Sequence, residues 1–204
     1  MTNQTLLQLE EDTKIVASAR FNKVKRLKRK TWWSLFSISS ISISLILVTI
    51  CENTHGIKYI KPIFLCDLAI QTWVFTVLSS IVTLAISIAI SSSRLESEQE
   101  KLNDSAVRIN RISGRIKASA HGDSKEKYLT LYEKYQSIIS ENLVNHDNID
   151  HRISRSEIKK AKTFCYYINT HVVQNLSLIP FFIIFYLALS VTISVIHQIL
   201  VSVC

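Results

Sequence analysis

Glycine and proline are scarce in this 204-residue chain, at three and two residues. So few turn-formers argue against a fold of many short strands and point to long helices. The motifs of common chemistry are missing as well. There is no glycine-rich phosphate loop, no HExxH pair of metal ligands and no nucleophile elbow. Histidines and serines are scattered, so an enzyme is not expected and no cofactor is implied. The four cysteines form no CxxC or Cys/His metal spacing. Cys51 and Cys66 bracket one short segment and can pair in an oxidising compartment. Cys165 and Cys204 stand at opposite ends of the last apolar region and cannot meet within one chain.

The most telling absence is of charge. Thr31–Cys51 runs 21 residues without Asp, Glu, Lys or Arg, Leu68–Ser93 runs 26, and the chain is uncharged again from Thr163 to Cys204. A membrane-crossing helix needs roughly 20 mostly apolar residues. Nothing in a bilayer core pairs free backbone groups, so such segments must be helical. The fold class expected is therefore all-α, an integral membrane protein with three spans at 31–51, 68–93 and about 176–200. The first span is too long and too far from the N-terminus for a signal peptide and reads as a retained anchor. Trp32, Trp33 and Trp73 stand where an interfacial aromatic belt would.

What charge there is has a direction. Residues 1–30 hold eight Lys or Arg, the 52–67 loop two and the 94–162 region fourteen. The positive-inside rule places the first and last of these in the cytoplasm and the loop outside, with the C-terminus outside too. The run Lys23, Lys25, Arg26, Lys28, Arg29 and Lys30 reads as a topology signal and a membrane-surface anchor. With a net charge of +8, anionic lipid is the expected partner.

Between the spans the pattern stays helical. Residues 5–30 carry a broken apolar stripe of Leu6, Leu9, Val16, Val24 and Leu27. His55-Gly56 reads as a turn. From about Arg94 to Ala120, Leu102, Ala106, Ile109, Ile112 and Ile116 recur at spacings of three and four, which marks one buried face. His121-Gly122-Asp123-Ser124 breaks that helix, with Asp123 or Ser124 as N-cap. A second helix with Tyr128, Leu131, Tyr135 and Ile138 on one side completes an antiparallel hairpin. A third runs from about Arg152 into the last span, where Pro180 is placed to kink it.

Three features bear on function. The spans carry ordered hydroxyls: Thr76, Ser80, Thr83, Ser87 and Ser91 on one face of the second, Ser37, Ser40 and Ser44 in the first, Tyr186, Ser190 and Ser194 with His197 in the third. Two readings stand. Hydroxyls can line a water path and replace part of an ion's hydration, or they can let helices pack closely and bond across the interface. Next, Arg94, Lys101, Arg108 and Arg115 recur every seven residues with Arg111 beside them. Lys101, Arg108, Arg111 and Arg115 can hold phosphates, since arginine forks match phosphate oxygens. Pairing with Glu96, Glu98, Glu100 and Asp104, or a solvated basic face, is the plainer alternative. Last, His146, Asp147, Asp150 and His151 resemble metal ligands, but nothing completes a tetrahedral set, so capping and hydrogen bonding are expected and no metal.

The phrase Ala19-Arg20-Phe21-Asn22, then Lys25-Arg26-Leu27, a basic cluster and a hydroxyl-rich span, resembles the SLATT family of bacterial two-span effector domains. The likeness continues to Tyr132-x-x-Tyr135 and Asn145-His146-x-x-x-Asp150, about residues 15–155, and the third span departs from it. The resemblance implies an effector of anti-phage or conflict systems, triggered by a nucleotide or oligonucleotide signal or by the protein that makes it. Three helices enclose no useful channel alone, so a pore implies a homo-oligomer, with a tetramer as the working copy number. The expected function is a signal-gated pore of the bacterial inner membrane, with Thr76–Ser91 on its wall. A membrane scaffold that recruits a cytoplasmic partner is the alternative.

Overall fold

The computed structural model describes residues 3–62, 69–119, 125–141, 147–161 and 163–203. Among these, the α-helices are α1 (Asn3–His55), α2 (Thr72–Ser92), α3 (Leu95–Ser119), α4 (Lys125–Glu141), α5 (Asn148–Ile158), α6 (Phe164–Ile168), α7 (Gln174–Leu176) and α8 (Ile179–Val203). A π-helical turn, Asn169–Val173, joins α6 to α7. A two-residue antiparallel ribbon, β1 (Tyr59–Ile60) with β2 (Ile70–Gln71), closes the segment between α1 and α2, pairing Tyr59 with Gln71 and Ile60 with Ile70. The all-α membrane fold stands. Three helical stretches, in α1, α2 and α8, are long and apolar enough to cross a bilayer. Compact packing divides the chain into a polar unit (1–29 and 95–176) and an apolar unit (30–94 and 177–204).

The polar unit is built on the periodicities of its helices. The predicted face of α3, Leu102, Ala106, Ile109, Ile112 and Ile116, is buried in full. Residues 109, 112 and 116 of it meet Leu131, Tyr135 and Ile138 of α4 and Leu9 and Ala17 of α1 in one core, with Leu6, Val16 and Tyr128 at its edge. α3 and α4 pack antiparallel: Arg108 pairs with Glu141, and Arg115, seven residues on, shares a groove with Lys134, seven residues back. The break expected at His121–Ser124 lies outside the described residues. The helix expected from Arg152 into the last span is in fact interrupted. Lys160 turns the chain after α5 with a left-handed φ of 53°, and Ser177-Leu178 separates α7 from α8. Pro180 starts α8 instead of kinking it, since the first turn of a helix needs no N–H from proline.

In the apolar unit the first and third spans form a pair. The buried positions of α1 here are Ser34, Ser37, Ile41, Ser44, Val48 and Cys51, alternating steps of three and four. That is the period of two helices packed along a common seam. Ser37 Oγ lies 2.9 Å from the Phe181 carbonyl oxygen, and Ser44 Oγ lies 2.9 Å from that of Ala188 and 2.8 Å from Thr192 Oγ1. Trp33 packs on Phe182 at 4.3 Å between ring centroids, so this member of the expected aromatic belt is a packing residue, while Trp32 is exposed. At the other end Val48, Cys51, Ile60, Val191 and Val195 close a small core. Cys66, the partner expected for Cys51, and Cys204 lie outside the described residues. Gly56 ends α1 with a φ of 62°, its N–H bonded to the Glu52 carbonyl at 3.1 Å.

The seam makes a direct prediction. Ser44→Val keeps the volume near that of serine plus one carbon but removes the hydroxyl, and should weaken the α1–α8 pairing by roughly 1 kcal/mol. Thermal unfolding in detergent reads the change, and an unaltered midpoint would mean that the bonds to Ala188 and Thr192 contribute nothing net.

Candidate functional site

The second span differs from the other two. Only 6 % of its apolar window is buried, against 33 % and 28 % for the first and third. Thr72 and Ser79 are its buried residues, and Phe75, Ile86 and Ile90 continue the same side half-buried. The predicted stripe lies beside that side: Thr76 and Thr83 are half-buried, and Ser80, Ser87 and Ser91 are exposed. Thr76, Ser80 and Ser87 each donate to the carbonyl four residues back, at 2.8–2.9 Å. Their bonds therefore stay within α2, in contrast to those of Ser37 and Ser44. In the third span Ser190 and Ser194 are buried, whereas Tyr186 and His197 are exposed, so those four do not share one environment. At the C-terminal end of α2, Arg94 leads into α3 with a left-handed φ of 47°, a conformation costing about 1–2 kcal/mol for a residue with a Cβ.

In the polar unit the predicted phosphate ligands come together. Arg108, Arg111 and Arg115 line one groove with Lys134 and Ser137 of α4, over a floor of Ile112 and Ile138, enclosing about 370 Å³. The arginines project beside the core face of α3 because each precedes a core residue by one position. Arg108 Nη1 is 2.7 Å from Glu141 Oε2 and 3.9 Å from Asp104 Oδ2. The hydrogen bond to Glu141 raises the Arg108 pKa further. Lys101 is exposed on the same row and is not among the lining residues. Glu98 pairs across to Lys23 at 2.9 Å rather than within its helix.

The basic run of α1 divides. Lys25, Lys28 and Arg29 are exposed, and Arg29 donates to Asn175 Oδ1 at 2.7 Å. Lys30 is half-buried. Lys23 and Arg26 turn into the polar unit. Arg26 Nη2 bonds Asp147 and lies 2.8 Å from Asp150 Oδ2, and Lys23 is 3.7 Å from Asp147. Asp147 stands at the N-cap position of α5, yet its carboxylate makes no cap bond and turns to Arg26. These pairs occupy two of the four residues that resembled metal ligands, and His146 lies outside the described residues. Asn22 donates to Ser154 Oγ at 2.9 Å. Arg20, 2 % exposed, is buried in the polar unit with Nε and Nη1 unbonded. Burial lowers its pKa. In the sequence Arg20 and Asn22 stood out only through the family resemblance, Arg26 as part of the basic run and Asp150 as part of the cluster resembling metal ligands; the structure gives each a burial or a bond.

Burial raises the Asp150 pKa despite the nearby Arg26. For Asp147 burial also pushes upward, but the hydrogen bond from Arg26 and the charge of Lys23 outweigh it and hold the carboxyl low. A raised carboxyl favours folding fully below its unfolded pKa and loses that contribution as pH rises through the folded value. Removing Arg26 strips the fully buried Asp150 of its cation and raises it further. Arg26→Gln should thus cost about 3 kcal/mol near neutral pH, and the deficit against wild type should shrink as the pH falls and Asp150 is protonated. Denaturation at several pH values measures this; a deficit constant with pH would exclude Asp150 as its origin.

Compared with known families, the chain matches the model of the SMODS and SLOG-associating 2TM effector domain (SLATT) family 5 over residues 3–196. Neither the curated proteins nor the solved structures compared with it gave a match. The match reaches well past the 15–155 stretch on which the likeness rested and takes in most of α8. The third span is therefore part of the matched region and not an addition outside it. The chain belongs to this SLATT family and is a membrane effector of anti-phage and conflict systems.

Proposed function

We propose that this SLATT effector assembles as a homo-oligomer, a tetramer in the simplest arrangement, and forms a gated pore. It lies in the bacterial inner membrane with the polar unit and N-terminus in the cytoplasm and the C-terminus outside, as the distribution of Lys and Arg favours. The observation that carries the pore is the contrast between hydroxyl rows. Ser37 and Ser44 bond to α8, whereas Thr76, Ser80 and Ser87 bond only within their own helix, Ser91 is exposed, and the hydroxyl of the half-buried Thr83 has no partner among the described residues. Several copies of α2 turned inward would surround a path with hydroxyl oxygens and no fixed charge. The polar unit is the sensor, answering a nucleotide-derived signal or the protein that makes it. Such a signal opens the pore only through unequal affinity for the open and closed states. Lys25 and Lys28, with Lys30, supply the basic surface for anionic lipid.

Conductance of the purified protein in planar bilayers tests this directly. The wild type should conduct with weak ion selectivity once activated. Thr83→Leu with Ser87→Leu should lower conductance at least about tenfold by replacing hydroxyls with hydrocarbon on the wall, with membrane insertion unchanged. Full conductance in a stably inserted double variant would remove α2 from the wall. Depolarisation of cells expressing the protein alone would identify the signal or partner as a restraint. A protein that recruits a cytoplasmic partner and never conducts would be the scaffold instead.

A further inference from the structure

We infer that the α3–α4 groove is a binding site for an anion carrying two or more phosphate groups, and that Glu141 competes with that anion for Arg108. The inference deepens the sensor half of the proposed function and takes its biological meaning from it. Arg108, Arg111 and Arg115 span seven residues of α3, about 10 Å along the axis. That row is longer than a single phosphate. Lys134 and Ser137 face them from α4, so cations and a hydroxyl converge from two helices on one concavity. Four cationic side chains brought together repel one another, and a polyanion relieves that repulsion where water and salt only screen it. Glu141 and Asp104 both bear on Arg108, at one end of the row.

Glu141 is the last residue of α4. Its carboxylate presents to the guanidinium of Arg108 the same kind of oxygens a phosphate would. An incoming phosphate therefore exchanges with an exposed ion pair, which costs little. The end of α4 is released in the exchange. Occupancy of the groove is thereby linked to how α4 ends, which gives the sensor two states with different affinity for the anion.

Calorimetric titration of inorganic tripolyphosphate into the full-length protein, held in nanodiscs of zwitterionic lipid, tests the site. Saturable binding that weakens with salt is expected. Arg111→Gln should reduce affinity about tenfold, as loss of a charge-assisted pair does. Glu141→Gln should raise it about two- to fivefold by removing the competitor. Lys117→Gln, on the opposite side of α3 from Arg108, serves as the control and should leave affinity unchanged. Circular dichroism establishes that each variant is folded. A second titration uses vesicles containing anionic lipid. Binding of tripolyphosphate assigns a soluble ligand, and binding of vesicles alone assigns a lipid headgroup; either upholds the site if Arg111→Gln weakens it and Lys117→Gln does not. No binding in either titration, or equal losses in Arg111→Gln and Lys117→Gln, overturns it. Unchanged or lower affinity in Glu141→Gln overturns the competition. Conductance plays no part in these readouts, so a protein that binds but never conducts refutes the pore and leaves the groove standing.

Discussion

A serine hydroxyl in a membrane helix has one proton, and where that proton goes decides what the helix can pack against. On α1 the hydroxyls of Ser37 and Ser44 reach carbonyl oxygens of α8 as well as of their own helix. Small side chains at those positions let the two backbones approach, and the bonds across the gap hold them there. α1 and α8 hold each other through these bonds, and α2 takes no part in them. The second span is then attached through Thr72, Phe75, Ser79 and the short ribbon, with most of its circumference outside the packed interior. Of the three spans the middle one is therefore the least buried within the chain.

The polar unit handles its charges by the opposite rule. There the cost of burial is met by complementary charge instead of small size. Arg26 reaches Asp150, which has no exposed surface, while Asp147 stays half in solvent and shares the same guanidinium. Both carboxylates meet the same terminal nitrogen, Nη2, so one permanently charged group serves the buried and the half-exposed acid together. Lys23 completes the arrangement by bridging toward Glu98 on α3 and Asp147. These contacts link α1 to α3 and to the start of α5, and Arg26 is the member whose loss leaves the buried Asp150 without its ion pair.

The patterns with one period and one partner were legible in the sequence. The apolar faces of α3 and α4 were read residue by residue, because an amphipathic helix buries its stripe against whatever lies nearest. The arginine row was legible for the same reason, since seven-residue spacing keeps a face. Lys134 and Ser137 were not, because their meeting with that row depends on the register in which α3 and α4 pack, which no local spacing shows. Arg26 and Lys23 looked like lipid anchors because a cation beside a span has the same signature whether it faces headgroups or carboxylates. Their partners lie 121 and 124 residues away for Arg26, beyond the reach of any local pattern. Pro180 was read as a kink because the sequence does not show that α7 has already ended.

The hydroxyl rows carry the same lesson into function. By spacing alone, Ser37 and Ser44 cannot be told from Ser80 and Ser87. In the fold, the first pair gives its protons partly to a neighbouring helix, and the second gives them to its own. A hydroxyl that donates to the carbonyl one turn back is satisfied as a donor, yet its oxygen still has a lone pair directed away from the helix. Such a residue costs little in lipid and offers a weak acceptor where water or a cation is near. A row of them remains compatible with either surroundings, which is what a segment must be if it is to stand against hydrocarbon in one state and a wet path in another. A ring of carboxylates would coordinate ions more strongly but would be costly to hold against lipid when the path is closed.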